Sequence, residues 1–140
     1  MDVKIVKLSQ NAVVPSYAKE GDAGLDLTAT SKEDLGDGLT KYGFGLALEI
    51  PKGYAGFLFP RSSSYKRGQQ LTNCVGVIDS GYRGEVSAIF NQYKSSDTTF
   101  KVGERIAQLV IMPVPYVNLI PVQKLSKSDR GTGGYGSTGS

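Results

Sequence analysis

The sequence predicts an all-β domain with at most one short helix. Apolar and polar residues alternate with a period of two in several short runs, as they do in half-buried strands. Turn signals such as Asp37-Gly38 and Pro51-Lys52-Gly53 separate these runs, and no stretch carries a helical apolar stripe. Short strands at this spacing are typical of a β-sandwich or barrel.

The individual elements follow from the same patterns. Strands are predicted, in chain order, at residues 3–5, 23–27, 46–50, 57–59, 77–78, 86–90, 100–102 and 106–114. The last of these runs is almost continuously apolar, as expected for a deeply buried strand. The only helix candidate is a short turn after Arg61, at residues 62–67.

Length and charge set limits on the class of protein. The 140 residues suggest one domain, and 39% apolar residues are enough for a core. The net charge of +3 is mild, and the only local basic cluster is Arg61, Lys66 and Arg67. The mild charge predicts no stable nucleic-acid binding. The cluster is either a solvated face or a site for a small anion. No signal peptide or apolar span of about 18 residues is visible, so a cytoplasmic protein without membrane attachment is expected.

Cysteine and histidine usage excludes several kinds of chemistry. The chain has one cysteine, Cys74, and no histidine. A disulfide within the chain is impossible, and nucleophiles activated by an imidazole are excluded. Cys74 is expected to be a small buried residue. Any catalysis must depend on carboxylates, basic residues, hydroxyls or a hard metal ion.

The C-terminal segment has a different composition. Residues 126–140 are polar, and five glycines fall between positions 131 and 139. Read alone, they predict a disordered terminus after a domain at residues 1–125. Gly131–Gly136 fits G-x-G-x-x-G, but the chain ends four residues later, so a dinucleotide fold is rejected. Arg130, the glycine N–H groups and the hydroxyls of Ser137 and Thr138 could instead cradle phosphate.

The most informative stretch is residues 76–86. Asp79 follows the β-branched Val77 and Ile78, and Tyr82 lies between Gly81 and Gly84. We expect a tight hairpin with one carboxylate and one aromatic ring at its mouth. Such a pair suits a general base beside a small planar substrate, although Asp-Ser-Gly is also ordinary turn chemistry.

Three further polar patterns lie elsewhere in the chain. Pro60–Ser64 places Arg61 and serine hydroxyls at the start of the possible helical turn, which suits an anion or merely caps the turn. Asp26 lies between two leucines and either caps a strand edge or faces a charged partner. Gln108 lies in the apolar run, where a buried amide needs partners, which the backbone alone can supply.

These patterns occur in a specific order. Ala-Gly-Leu-Asp-Leu (23–27), Pro-Arg-Ser-Ser (60–63), Gly-Val-Ile-Asp-Ser-Gly-Tyr-Arg-Gly (76–84), Gly-Glu-Arg-Ile-Ala-Gln (103–108) and Arg-Gly-Thr-Gly-Gly-Tyr-Gly-Ser-Thr-Gly (130–139) follow one another along the chain. Together they closely resemble the five motifs of the trimeric dUTP pyrophosphatases, or dUTPases. The resemblance spans nearly the entire chain.

The resemblance implies a fold, an assembly and a reaction. Members have a jelly-roll-like β fold (β-clip) and form homotrimers with shared active sites. The flexible arm at 126–140 would close over a neighbouring subunit's site. Such enzymes hydrolyse dUTP to dUMP and pyrophosphate with Mg²⁺, which limits uracil incorporation into DNA and supplies dUMP for thymidylate synthesis.

The resemblance also implies roles at the base and the sugar. Asp79 would activate the water that attacks the α-phosphorus, and the ring of Tyr82 would exclude a 2′-hydroxyl. The base-reading residues would be Asn73, Gly76, Val77 and Ile78, whose backbone pairs with the uracil edge and refuses cytosine. Tyr135 would stack on the base, with Gly136 beside it; most members have phenylalanine at the position of Tyr135.

The remaining implied roles concern the phosphates and the metal. The phosphate-binding residues would be Arg61, Ser62, Ser63 and Gln108 together with Arg130, Ser137 and Thr138 of the arm. Many members have glycine at the position of Ser63. Asp26 would bind, through water, the Mg²⁺ that bridges the triphosphate.

Two rival functions remain to be weighed. The related dCTP deaminases need an acid on the strand after the third motif, but Val86–Asn91 carries none and Glu85 lies close to the turn. A nucleotide-gated module that docks a regulatory protein is the other rival. The polar loop at 31–42 and the segment 92–99 are its candidate docking surfaces, and such a partner stays open as an added role.

Overall fold

The computed structural model describes residues 1–95 and 98–139 and confirms the all-β prediction. The described residues contain one single-turn 3₁₀ helix, Ser64–Arg67, at the place of the helix candidate. The strands are β1 (Lys4–Lys7), β2 (Leu25–Thr28), β3 (Ser31–Gly36), β4 (Leu39–Gly43), β5 (Leu46–Glu49), β6 (Tyr54–Pro60), β7 (Gln69–Leu71), β8 (Gly76–Ile78), β9 (Ser87–Gln92) and β10 (Arg105–Pro113).

The strands form two four-stranded antiparallel sheets and one two-stranded pair. The sheet orders are β2-β10-β6-β8 and β3-β4-β9-β7, and β1 pairs with β5. In the first sheet β10 lies between β2 and β6, while β8 is an outer strand. Neighbouring strands such as β2 and β10 therefore bring together residues that lie far apart in sequence.

The alternating patterns place the core as predicted. Leu46, Leu48 and Ile50 are buried, whereas Glu49 between them is exposed. Tyr42, Phe90 and Phe100 pack edge to face, with ring centroids 5.4 to 6.3 Å apart. Such pairs add stability beyond the apolar area that they bury.

One buried polar group joins this aromatic cluster. The Gln69 side-chain carbonyl accepts a hydrogen bond from the Phe100 N–H at 2.7 Å and lies 3.2 Å from the Tyr42 hydroxyl. The same hydroxyl donates to the Phe100 carbonyl at 3.0 Å. Burial raises the pKa of Tyr42 above its usual value, so the hydroxyl stays a donor at neutral pH.

Three local predictions are wrong. Residues 100–102 form a turn rather than a strand: Phe100 points into the core, but Val102 is 49% exposed. Residues 31–42 form the β3–β4 hairpin rather than a loop. Cys74 is exposed, because it lies in a tight turn with a φ of 61° that points it outward from the β7–β8 connection.

Two further findings concern the surfaces that were considered for partners. Within residues 1–95 and 98–139, no helix has the length and apolarity needed to cross a membrane. Of the segment 92–99, residues 96 and 97 lie outside the described residues, as does residue 140.

Candidate active site

The first group of predicted site residues is built on the sheet of β2, β10 and β6. Gln108 of β10 is opposite Asp26 of β2 on one side and Phe59 of β6 on the other. Arg61 and Ser62 directly follow β6, so they lie at the same edge of the sheet. Asp26, Arg61, Ser62 and Gln108 line one cavity. We call this the phosphate-side group.

Two ion pairs organise the phosphate-side group. Arg61 Nε lies 3.1 Å from Asp26 Oδ1, and Arg105 Nη1 lies 3.0 Å from Asp26 Oδ2. The Asp26 side chain is only 16% exposed. A carboxylate with so little access to water needs such partners, and here each oxygen has one.

Gln108 is held by a hydrogen bond to the backbone, and the side chain that Gly24 lacks leaves space for it. Its amide donates to the Pro60 carbonyl at 3.0 Å. A Cβ added at Gly24 would overlap the Gln108 side-chain oxygen and lie 3.1 Å from its Cβ. Gly24 therefore leaves the space that Gln108 occupies beside Asp26.

The two serines are accessible to a ligand, whereas Arg67 of the basic cluster is already paired. Ser62 and Ser63 are exposed, and the Ser63 hydroxyl makes no capping bond to the 3₁₀ turn. Arg67 is not available for an anion, because it forms a two-pronged pair with Glu104 at 2.7 and 2.9 Å. The Arg67 guanidinium holds the pKa of Glu104 below its usual range.

The second group surrounds the loop that follows β8. Asn73, Gly76, Val77, Ile78, Asp79 and Tyr82 line one cavity. We call this the base-side group. The expected hairpin at 76–86 is wrong, because β8 pairs with β6 whereas β9 pairs with β4 and β7 of the other sheet. The loop 79–86 instead crosses between the two sheets.

Local bonds fix the shape of this crossing loop. The Tyr82 N–H donates to the Asp79 carbonyl at 3.1 Å. Arg83 Nη1 donates to the Ser80 carbonyl at 2.8 Å and to the Tyr82 carbonyl at 3.2 Å. The side chain of Asp79 accepts none of the loop's hydrogen bonds and lies exposed at the cavity, where it is free to accept a proton from a ligand or water.

Tyr82 is fixed at both ends. Its hydroxyl donates to the Glu85 carbonyl at 3.0 Å, and its ring lies over Gly84. A Cβ added at Gly84 would lie 2.5 Å from the Tyr82 oxygen and 2.7 Å from the carbon that bears it. Glu85 itself accepts a bond from the Gly45 N–H at 2.8 Å.

The free edge of β8 offers backbone groups to a ligand. Within the described residues β8 has one strand neighbour, β6, and so the N–H and C=O groups on its other edge lack a strand partner. Asn73 lies beside this edge, because its amide nitrogen is 3.6 Å from the position a Cβ would take at Gly76.

The third group, the arm, makes contacts within itself. Arg130 Nε donates to the Gly133 carbonyl at 2.8 Å, and the Ser137 N–H donates to the Gly134 carbonyl at 3.1 Å. The Tyr135 ring is fully exposed. Arg130, Tyr135, Gly136, Ser137 and Thr138 line none of the cavities that contain the other two groups.

The first two groups are separated along β6. Ile78 pairs with Gly56, and Arg61 follows five residues later along that strand. At about 3.3 Å per residue, the backbones at Ile78 and Arg61 are offset by roughly 17 Å along the strand. Within one chain the base-side group and the phosphate-side group therefore line separate cavities.

The structure reveals functional candidates that the sequence patterns did not single out. Arg105 and Gly24 shape the phosphate-side group, and Gly84 accommodates the ring of Tyr82. All three lie inside the five motifs, which was the only signal in the sequence. Their contacts became visible only with the tertiary structure.

Comparisons with known proteins agree on one family. The family model described as dUTPase matches residues 10–139. The deoxyuridine 5'-triphosphate nucleotidohydrolase of Picosynechococcus sp. is 42% identical over 143 residues, covering 99% of both chains. That of Nautilia profundicola is 42% identical over 141 residues, again covering 99% of both chains.

A solved structure shows the same fold. A mutant dUTPase of Staphylococcus bacteriophage 80alpha, determined with dUpNHpp, superposes with a TM-score of 0.82 at 26% identity. The match covers 99% of each chain. The similarity therefore includes the arm as well as the sheets.

Proposed function

The chain belongs to the dUTPase family and is a dUTP diphosphatase, and we propose that it acts by attack of an Asp79-activated water on the α-phosphorus. The observation that carries this proposal is the crossing loop, which presents an exposed carboxylate beside a fixed aromatic ring at one cavity. A carboxylate in this position can act as a general base that accepts a proton from water. The products are dUMP and pyrophosphate.

Selection of uracil is proposed to occur at the free edge of β8. Backbone groups of Gly76, Val77 and Ile78 would pair with the uracil edge, and Asn73 would lie beside it. Cytosine presents an amino group where uracil has a carbonyl, so donors at this edge would be left unpaired. Sites built in this way discriminate by about 10⁴.

Selection against a ribonucleotide is proposed to depend on Tyr82. Its hydroxyl is bound and its ring covers Gly84, so moving the ring aside to admit a 2′-hydroxyl would break that hydrogen bond. The deoxyribose would pack on this ring. Discrimination of this kind is steric, and it depends on the rigidity of the loop.

The phosphates are proposed to lie between the phosphate-side group and the arm. Arg61, Ser62, Ser63 and Gln108 offer a guanidinium, two hydroxyls and an amide at one edge of the sheet. Arg130, Ser137 and Thr138 would add donors when the arm closes, with Tyr135 over the base and Gly136 beside it. The leaving pyrophosphate would then be neutralised from two sides.

The residues present fit a magnesium ion that is bound mainly by substrate. Asp26 Oδ2 accepts a hydrogen bond from Arg105 and Oδ1 is ion-paired with Arg61, so the carboxylate would use its remaining lone pairs for metal-bound waters rather than for a direct bond. No group of three or more potential ligands from Asp, Glu, Cys and His occurs within the described part of the chain. When bound to the triphosphate, Mg²⁺ would supply charge neutralisation on its oxygens.

A homotrimer with shared sites is proposed from the separation of the groups. The two groups line separate cavities within one chain, and Ile78 is offset from Arg61 by five residues along β6, or roughly 17 Å of backbone. The chain after β10 also exposes apolar side chains that a second copy would cover: Tyr116, Val117, Leu119, Ile120, Val122 and Leu125. A site made by several copies accounts for both features.

The rival functions gain no support from the geometry. Strand β9 carries no acid, and Glu85, which lines the base-side cavity, is already engaged by the Gly45 N–H. Docking of a regulatory protein at 31–42 stays a prediction. The roles in limiting uracil in DNA and in supplying dUMP follow from the reaction and are proposed with it, as is a cytoplasmic location.

The proposal is tested by assaying pyrophosphate release from dUTP, dCTP, dTTP and UTP with Mg²⁺. We expect release from dUTP at a kcat/KM at least about 10³-fold above that for the other nucleotides. The nucleotide product should be dUMP. Ammonia release from dCTP, or equal rates for dUTP and UTP, would contradict the proposal.

Gly84→Ala is expected to weaken discrimination against UTP. The added methyl group overlaps the Tyr82 ring, so the ring must move and its bond to the Glu85 carbonyl is lost. We expect the ratio of kcat/KM for dUTP over UTP to fall by about 10-fold or more. Steady-state kinetics with both nucleotides measure this ratio.

Gly81→Ala is the matched control. Gly81 lies in the same loop, but a Cβ there meets no atom within 4 Å, and its φ is not positive. The control should keep the parental ratio. An unchanged ratio in Gly84→Ala, or an equal fall in both variants, would show that the fixed ring does not set the discrimination.

A further inference from the structure

We propose that Arg105 is a positioning residue that, together with Asp26, fixes the guanidinium of Arg61 for phosphate binding. The inference rests on the proposed function and deepens it. It assigns a role to a residue that no predicted contact with dUTP includes. It also gives Asp26 a second role besides the water-mediated contact with the metal.

Two contacts restrict the Arg61 guanidinium, an ion pair at Nε and a hydrogen bond from Nη1. Nε lies 3.1 Å from Asp26 Oδ1, and Nη1 donates to the Arg105 carbonyl at 3.2 Å. A guanidinium is planar and rigid, so two anchored nitrogens determine its orientation. Within residues 1–95 and 98–139, Nη2 donates no hydrogen bond, and it is left for a phosphate oxygen.

Arg105 makes two contacts that support this arrangement. Its backbone carbonyl holds Arg61, while its own side chain holds the other oxygen of Asp26 at 3.0 Å. With both oxygens bound, the Asp26 carboxylate cannot rotate about its last side-chain bond. Removing the Arg105 side chain frees that rotation, and Arg61 then loses its fixed acceptor.

A second ion pair links the chain segments that carry Arg61 and Arg105. Glu104, the residue before Arg105, pairs with Arg67 at 2.7 Å and accepts the Lys101 N–H. Arg67 lies at the end of the 3₁₀ turn that begins just after Arg61. The two segments that carry Arg61 and Arg105 are therefore fixed relative to each other by this pair.

The exposure of the Arg105 side chain favours a positioning role over a purely structural one. The Arg105 side chain is 55% exposed, compared with 31% for Arg61 and 16% for Asp26. Removing a half-exposed side chain costs little folding stability. Its effect should therefore appear in binding of the phosphates rather than in folding.

The test is a double-mutant cycle on binding. Arg105→Gln, Arg61→Gln and the double variant are titrated with dUpNHpp, which carries the full phosphate chain, and with dUMP. We expect Arg105→Gln to weaken dUpNHpp binding by about 10-fold and to change dUMP binding by less than about 2-fold. In the Arg61→Gln background, Arg105→Gln should have no further effect, since it acts through Arg61.

Lys101→Gln is the control for charge. It removes one positive charge from an exposed side chain four residues from Arg105 without touching Asp26. It should bind both ligands like the parent. Equal losses for Lys101→Gln and Arg105→Gln would assign the effect to general electrostatics and overturn the inference.

The outcomes also distinguish this inference from the proposed function. If the parent hydrolyses dUTP but the two losses add in the double variant, the function stands and the positioning role is wrong. A loss of dUMP binding as large as the loss of dUpNHpp binding would also overturn it. If the parent neither binds dUpNHpp nor hydrolyses dUTP, the proposed function fails and this inference fails with it.

Discussion

Asp79→Asn is expected to abolish most turnover while leaving nucleotide binding intact. The amide has the shape of the carboxylate but cannot accept the proton of the attacking water. The Asp79 side chain accepts none of the loop's hydrogen bonds, so the backbone bond from the Tyr82 N–H to the Asp79 carbonyl and the Arg83 contacts should persist. Since general-base catalysis contributes about 10² to 10⁴-fold, we expect a fall in kcat within that range.

Single-turnover kinetics and titration with dUpNHpp measure the two properties separately. Asp37→Asn is the control, because it makes the same change in the β3–β4 turn, where a φ of 55° suits either residue. The control should keep the parental kcat. Hydrolysis of dUTP by Asp79→Asn at the parental rate would show that another group activates the water.

The strand patterns could be predicted where one side of the strand is buried. Residues 46–50 and 86–90 alternate because one face lies in the core. Strand β3 was missed, because all six of its residues are exposed and Lys32, Glu33 and Asp34 give no apolar signal. Its pairing with β4 is determined by the turn at Asp37 and Gly38 and by burial of β4, which the residues of β3 do not reveal.

The turn at 100–102 shows the opposite error. Phe100 is buried because it packs edge to face on Tyr42 and Phe90, whereas Val102 points to solvent. Two apolar residues around a lysine therefore imitated a strand pattern. The cause of burial is a tertiary contact, and a period of two over three residues is too short to exclude a turn.

The site residues could be named from the motifs, but their supports could not. Asp26 and Arg105 are 79 positions apart in sequence and meet only because β2 and β10 pair. Gly84 supports Tyr82 through the space that it leaves, which has no signal beyond the glycine itself. The separation of Asp79 from Arg61 also follows from the fold rather than from composition, because it depends on the register of β8 against β6.

Removal of residues 130–140 is expected to abolish activity without unfolding the protein. The described arm residues bond to one another, as Arg130 does to the Gly133 carbonyl, and they line neither site cavity. Their loss therefore costs the fold little. The donors of Arg130, Ser137 and Thr138 would no longer reach the phosphates, and water would no longer be excluded by Tyr135.

We expect kcat/KM for dUTP to fall by about 10²-fold or more in the truncated chain. Light scattering after gel filtration should give the same assembly as the parent, because the apolar segment Tyr116 to Leu125 that a second copy would cover is retained. Circular dichroism during heating should show an unchanged midpoint within about 2 °C.

The matched control for this truncation keeps the arm but scrambles the order of residues 130–139. It preserves length, charge and glycine content, so a flexible tail alone would restore activity, whereas a lid with placed side chains would not. We expect the scrambled arm to be as inactive as the truncation. Full turnover by a folded, truncated assembly would show that the site closes without the arm, and full turnover by the scrambled arm would assign its role to bulk rather than to Arg130, Tyr135 and the two hydroxyls.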